Sequence, residues 1–384
     1  MALFLFIPAA FITGWWLSRR KYMSSFFKTR RNLYPDYFRG LNYVLDERPD
    51  KAIEIFIKMI EVDSETVETH LALGNLFRRK GEVDRAIRLH QNLIARPSLS
   101  NEHRAQAYLE LGNDYLKLGI LDRAEKLFLD LIDMGMFSAS AYKYLLDIYQ
   151  QQSDWDKAIN IARRLETITS SDYGKTIALY YCEMASDKLL AGDDKNIKDL
   201  IKRALRLDHK CVRASIMEGD MLFNKQKYKG AIAAYKRVEG QEPKFIAEVL
   251  PQLEKCYQKL DKEVEFKTYL NKLVDNHHGN YNLLKYLAST IAREDGSDNA
   301  IVFLEKHLRD NPSMDGIGQL LKYIIATDSV DASRLNMMNQ FVDKILENRS
   351  EYQCHICGFE AKHLHWYCPG CKSWGSIWPL TGEL

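Results

Sequence analysis

A chain of 384 residues with 46% hydrophobic and 28% charged residues is globular, with room for two or three domains or one long repeat array. Its formal net charge of +2 excludes any general electrostatic drive toward nucleic acid. Its seven cysteines include three isolated ones in helical sequence, a set that excludes a disulfide-stapled secreted fold and fits a reducing compartment. Residues 1–17, MALFLFIPAAFITGWWL, carry no charge, and Arg19, Arg20 and Lys21 follow at once. At about 1.5 Å per residue this stretch spans roughly 25 Å as a helix, enough for a thin bilayer core. Trp15 and Trp16 stand where an interfacial aromatic belt would lie. The basic cluster comes after the apolar run, the reverse of a cleaved signal peptide. The positive-inside rule then predicts a single-pass anchor with the bulk of the chain in the cytoplasm. Residues 18–35 continue as a basic juxtamembrane linker with Lys28, Arg30 and Arg31 and no acid.

From about residue 36 to 312 the chain repeats itself. A small residue recurs twelve positions before an alanine-like one: Gly40/Ala52, Gly74/Ala86, Gly112/Ala124, Leu146/Ala158, Ala185/Ile197, Gly219/Ala231, Glu254/Phe266 and Ala288/Ala300. The spacing between pairs is 34, with insertions of four, five and one before the third, fifth and seventh. Three positions after the small residue stands an aromatic or aliphatic one: Tyr43, Phe77, Tyr115, Tyr149, Leu222, Tyr257 and Ile291, with Lys188 breaking the rule. A large residue often follows the alanine by four, as in Phe56, Phe128, Tyr235 and Leu304. Two helices cross closely only where small residues meet, and large ones fill the flanks. One such hairpin cannot bury its apolar face alone, so hairpins stack. These positions resemble the tetratricopeptide repeat, with about eight repeats of which the fifth and seventh are degenerate. The expected fold is all-α: a repeat superhelix behind an N-terminal transmembrane helix, with residues 313–349 as capping helices.

Function in such arrays lies on the inner face, which the first helix of each repeat supplies. Counting along those helices predicts Asn75, Arg78, Arg79, Asn113, Lys117, Arg213 and Asp220 as partner-binding residues. Asn75 and Asn113 are similar to the asparagines of carboxylate-clamp repeats, but Leu71 and Leu109 replace the clamp lysines and argue against capture of a free C-terminus. The lone Cys182, Cys211 and Cys256 read as small buried hydrophobes.

Residues 350–384 close the chain with two knuckles, Cys354-His-Ile-Cys357-Gly and Cys368-Pro-Gly-Cys371, ten residues apart. Two C-x-x-C pairs at this spacing predict one tetrathiolate metal ion, iron or zinc. Gly358 and Gly370 are expected to relax the two turns. Four cysteines complete a tetrahedron, so His355, His363 and His365 read as surface or supporting groups. A fold of this size has little core of its own. Trp366, Trp374 and Trp378 are therefore expected to dock it onto the helices. The knuckles resemble those of rubredoxins and zinc ribbons, trimmed between the pairs. No phosphate loop, dinucleotide fingerprint, H-E-x-x-H or G-x-S-x-G is present, so no catalytic residue is predicted and the chain reads as a non-enzyme.

The whole-chain order of anchor, repeats and tetracysteine domain resembles the lipopolysaccharide assembly protein B family. The resemblance implies a scaffold on the cytoplasmic face of the inner membrane that regulates lipopolysaccharide synthesis. Its implied partners are an FtsH-type membrane protease, the lipid A pathway deacetylase delivered to it, and a membrane partner that reports on lipopolysaccharide supply. Homo-oligomerisation is compatible with this reading, and nucleic acid is not an expected partner. Two readings stay open: a tethered electron carrier with an iron tetrathiolate, and a generic repeat scaffold for another membrane complex.

Overall fold

The computed structural model describes residues 36–380 except residue 47 and the stretches 63–66, 194–195, 278–279, 311–312, 328–338, 341 and 344–348. The expected anchor at 1–17, the linker at 18–35 and much of the expected cap at 313–349 lie outside the described residues. Among the described residues, no helix is long and apolar enough to cross a membrane.

Among the described residues, helices follow one another without a strand until residue 352. The first compact unit ends at Ser170. It holds α1 (36–45), α2 (Pro49–Val62), α3 (Val67–Lys80), α4 (Val83–Ile94), α5 (Asn101–Lys117), α6 (Leu121–Asp133), α7 (Ser138–Gln151) and α8 (Trp155–Thr169). The second unit starts at Ser171. Its helices are α9 (Gly174–Leu190), α10 (Ile197–Leu207), α11 (Val212–Asn224), α12 (Tyr228–Gln241), α13 (Ile246–Gln258), α14 (Glu263–Asn276), α15 (Tyr281–Asp295), α16 (Ser297–Asp310) and α17 (Met314–Ala326). A single 3-10 turn, Pro243–Phe245, leads into α13.

Each repeat is one helical hairpin, and the recurring pair marks its crossing. Ala52, Ala86, Ala124, Ala158, Ala231 and Ala300 are fully buried. A Cβ placed on Gly40, Gly112 or Gly219 would meet the ring of Phe56, Phe128 or Tyr235 at 2.7, 2.6 or 2.3 Å. In the second repeat the same place is taken by His90, whose ring would lie 2.3 Å from a Cβ on Gly74. His90 is fully buried, and its Nδ1 lies 2.5 Å from Asp114 Oδ2.

A second period governs the turn within six of the hairpins. Seven positions after the small residue, φ is positive at Gly81, Gly119, Ser153, Gly192, Gln226 and Asp261. The next amide then donates back to the residue three after the small one, as from Ile120 to Tyr115 (2.9 Å) and from Lys227 to Leu222 (2.9 Å). This six-to-one bond is the helix-terminating motif that requires a left-handed residue. Two substitutions separate backbone from space. Gly119→Ala meets nothing within 4 Å and strains only the backbone, so it should cost about 1–2 kcal/mol. Gly219→Ala drives a methyl into the Tyr235 ring and should cost more, although alanine favours helix. Thermal unfolding of the two variants checks this order.

The two degenerate repeats place charged residues at motif positions and pair them. In the fifth, Lys188 stands at the aromatic position and pairs with Asp193 at 2.8 Å. In the seventh, Glu254 replaces the small residue and accepts from Tyr286 Oη (2.5 Å) and from Arg293.

Candidate metal centre and docking surface

The C-terminal segment forms a three-stranded antiparallel sheet in the order β2-β1-β3, with β1 Tyr352–Cys354, β2 Glu360–Ala361 and β3 Ile377–Pro379. The first knuckle closes by Cys354 N–H to Phe359 O (2.8 Å) and Gly358 N–H to Cys354 O (2.9 Å). The second closes by Cys368 N–H to Ser373 O (2.9 Å) and Lys372 N–H to Cys368 O (2.8 Å). Gly358 takes the positive φ of 76° expected of it, but Gly370 does not. Lys372, which follows the second pair as Gly358 follows the first, carries that conformation at φ 59°. A Cβ on Gly370 would make ordinary contacts, 3.4 Å to Cys357 Sγ and 3.7 Å to Cys368 Sγ.

The four sulfurs converge. Cys354 and Cys371 are 3.7 Å apart, Cys357 and Cys368 are 3.7 Å apart, and all four lie within 4.8 Å of one another. A tetrahedron with metal–sulfur bonds of about 2.3 Å has edges of about 3.8 Å. Burial raises the Cys354 thiol, but its hydrogen bond with Ser376 and those from the Cys357 and Ile356 amides outweigh it and bring it to about 6. The Phe359 amide lowers Cys357, yet burial and the three neighbouring sulfurs push it up to about 12. Four thiolates this close need a cation, and a soft tetrahedral one fits. The site could hold one metal ion, and zinc and iron suit it equally.

The sheet rests on the second helical unit through its aromatic residues. Trp366 stacks on Phe245 (centroids 5.6 Å, 13° between planes), and the Arg213 guanidinium lies 5.8 Å from its ring. Trp374 meets Tyr180 edge to face at 5.4 Å, and Gly375 stands where a Cβ would touch Leu179 at 3.4 Å. Trp378 packs against His355 at 4.3 Å and lies under the Lys244 ammonium at 5.0 Å. Tyr352 Oη donates to Glu248 Oε1 (3.0 Å), and Asn282 Nδ2 donates to Leu380 O (3.4 Å). The dock explains α9, whose buried residues Ile177 to Cys182 run unbroken round the helix. A helix apolar all round is covered on all sides. His363 and His365 are exposed and belong to neither the sulfur cluster nor the dock.

Trp366→Ala should keep all four ligands but weaken the dock by about 2–3 kcal/mol. Amide exchange at Phe245 and along β3 should then quicken while metal content stays unchanged.

The predicted groove residues divide. Arg78 donates to Glu110 O (3.1 Å), Asp114 Oδ1 (2.8 Å), Asn75 Oδ1 (2.7 Å) and Glu110 Oε2 (2.6 Å). Burial opposes its charge, but its bonds to Glu110 and Asp114 outweigh this and raise its pKa. Asn75 and Arg78 therefore tie α3 to α5. Arg213 donates to both oxygens of Glu183 (2.5 and 3.1 Å) while its guanidinium lies over the Trp366 ring. Asp220 accepts from Tyr235 Oη at 2.6 Å within its own hairpin. Arg79 and Lys117 are exposed, and Asn113 is half-buried. Sequence reasoning missed Asp114 and His90 because neither matches a repeat position by type.

Comparison with known proteins agrees with this anatomy. Residues 352–379 match a rubredoxin metal binding domain family, and residues 69–105 and 109–173 match tetratricopeptide repeat families. The crystal structure of MamA aligns with 44% of this chain and 95% of its own at 23% identity and a TM-score of 0.33. Lipopolysaccharide assembly protein B of Escherichia coli strain K12 is 37% identical over 382 residues, 99% of this chain and 98% of that protein. The protein of the same name from Haemophilus influenzae is 32% identical over 395 residues, covering 99% and 98%. With repeats, tetracysteine domain and end-to-end similarity together, the chain belongs to the lipopolysaccharide assembly protein B family.

Proposed function

We propose that this chain is a non-catalytic adaptor in lipopolysaccharide assembly, anchored in the inner membrane by residues 1–17 with its bulk on the cytoplasmic side. In this reading it brings the lipid A pathway deacetylase to an FtsH-type membrane protease and answers to a membrane partner that senses lipopolysaccharide supply. The observation that carries the reading is the dock of Trp366, Trp374 and Tyr352 on α9, α11, α13 and the 243–245 turn. A sulfur site built into helices that present side chains to partners serves recognition better than turnover. Similarity along 99% of the chain to proteins named for lipopolysaccharide assembly supplies the pathway. Arg79, Asn113 and Lys117 remain the proposed contact residues of the first unit, because they are the candidates not engaged in the α3–α5 network.

Confinement at the membrane replaces a search in solution by an encounter at high effective concentration. The test is the half-life of the deacetylase in cells lacking the protein. The full chain should shorten it, and a chain beginning near residue 22 should fold yet leave it long. An unrelated anchor fused to that shortened chain should restore most of the effect. A half-life indifferent to the full chain removes the proposal, and an unrelated anchor that restores nothing removes the simple tether.

A further inference from the structure

Two buried cysteines outside the metal centre face each other. Cys182 on α9 and Cys211, the residue capping the N-terminus of α11, have their sulfurs 3.9 Å apart. Both are buried, Cys182 fully and Cys211 to 4% exposure. They differ in character. The Cys182 thiol lowers the Cys211 pKa, burial opposes this, and the Ala214 amide at the start of α11 lowers it further. Cys182 is raised, first by its bond to Cys211 and then by burial. Two thiols in contact, one of them at a helix N-terminus that favours its ionised form, are the arrangement of a pair that can be oxidised together.

We propose that Cys182 and Cys211 form a modification site that a small hydroperoxide oxidises to a disulfide within the second unit. The Cys211 sulfur attacks the distal peroxide oxygen; the O–O bond breaks, leaving a sulfenic acid on Cys211 and releasing water when hydrogen peroxide is the oxidant. The Cys182 sulfur then displaces the sulfenic oxygen, its proton leaving with a second water, and the S–S bond forms. Two thiols are oxidised and one peroxide is reduced to two waters. The sulfurs must close from 3.9 Å to about 2.05 Å. That closure draws α9 and the start of α11 together under the dock. Tyr180, which meets Trp374, is two residues before Cys182, and Arg213, which lies over Trp366, is two residues after Cys211. Oxidation would thus be transmitted to the seat of the metal domain.

Cys256 provides an internal control. It is equally buried in the same unit, and burial pushes its thiol up to about 11. The experiment treats the metal-loaded full chain with increasing hydrogen peroxide, unfolds it in alkylating reagent and maps the peptides by mass. A peptide pair joined through Cys182 and Cys211, two mass units below the sum of its parts, is expected while Cys256 is still alkylated. Cys182→Ala should stall the reaction at a Cys211 sulfenic acid that a 1,3-diketone captures, and Cys211→Ala should leave Cys182 unreacted. The proposal is overturned if both thiols stay alkylatable until the four metal-site cysteines oxidise, or if Cys256 reacts in step with them. The wild-type map decides the matter even if a variant fails to fold.

Discussion

Cys354→Ser combined with Cys357→Ser is expected to abolish metal binding, from about one equivalent to none, and to release the C-terminal sheet from its helices. The cause is the size of the sheet. The buried residues of its hydrophobic cluster are Tyr352, Cys354, Cys368 and Ile377, so half of that cluster is ligand. Structural metal binding at a tetrathiolate contributes on the order of 10 kcal/mol or more, far beyond what Tyr352 and Ile377 supply. Without it, amide protection should fall through residues 350–380 and also in α9, in the 243–245 turn and at the start of α13. Metal analysis with exchange mass spectrometry reads both effects. Full metal occupancy in the double variant would refute the tetrathiolate. Loss of protection confined to 350–380 would refute the shared dock.

The second large effect is expected at Asp114. Its carboxylate is fully buried and receives Arg78 Nη1 at 2.8 Å on one oxygen and His90 Nδ1 at 2.5 Å on the other. Asp114→Ala takes one acceptor from a largely buried guanidinium, which keeps Glu110 and Asn75, and removes the partner of the buried His90 Nδ1. Breaking such a network by removing one member costs about 3–5 kcal/mol. Asp114→Asn keeps an oxygen for Arg78 and should cost less. Denaturant unfolding of the two variants, with exchange read at α3, α4 and α5, gives the comparison. A loss below about 1 kcal/mol for the alanine variant would show that Arg78 and His90 find other partners.

The hairpins were legible because crossing helices constrain residue size, and size survives in the sequence as Gly74/Ala86 or Gly219/Ala231. His90 was not, because a histidine filling an aromatic position is explained only by Asp114, 24 residues on in another hairpin. The left-handed turn was half legible: Gly81, Gly119 and Gly192 mark it, but Ser153, Gln226 and Asp261 adopt it under the same bonding without glycine. The sulfur site was legible as a spacing, whereas Gly370 was expected to relax its turn and the left-handed conformation falls to Lys372 instead. Arg78 and Arg213 show the limit of counting along a helix. It finds the face a side chain leaves from but not the acidic residues, Glu110, Asp114 and Glu183, that engage it. The membrane segment rests on sequence alone.

The dock also imposes an order on biosynthesis. Tyr180 leaves the ribosome long before Trp374, its cover, and Cys371 is the last ligand to appear. At about 5–20 residues per second the interval is some tens of seconds or less, during which the apolar circumference of α9 has no lid. A nascent or truncated chain, or a complete one starved of metal, presents that surface to chaperones and proteases, and only a finished, metalated chain withdraws it. Residues 350–380 thus act as a late-made cover for helices made some two hundred residues earlier.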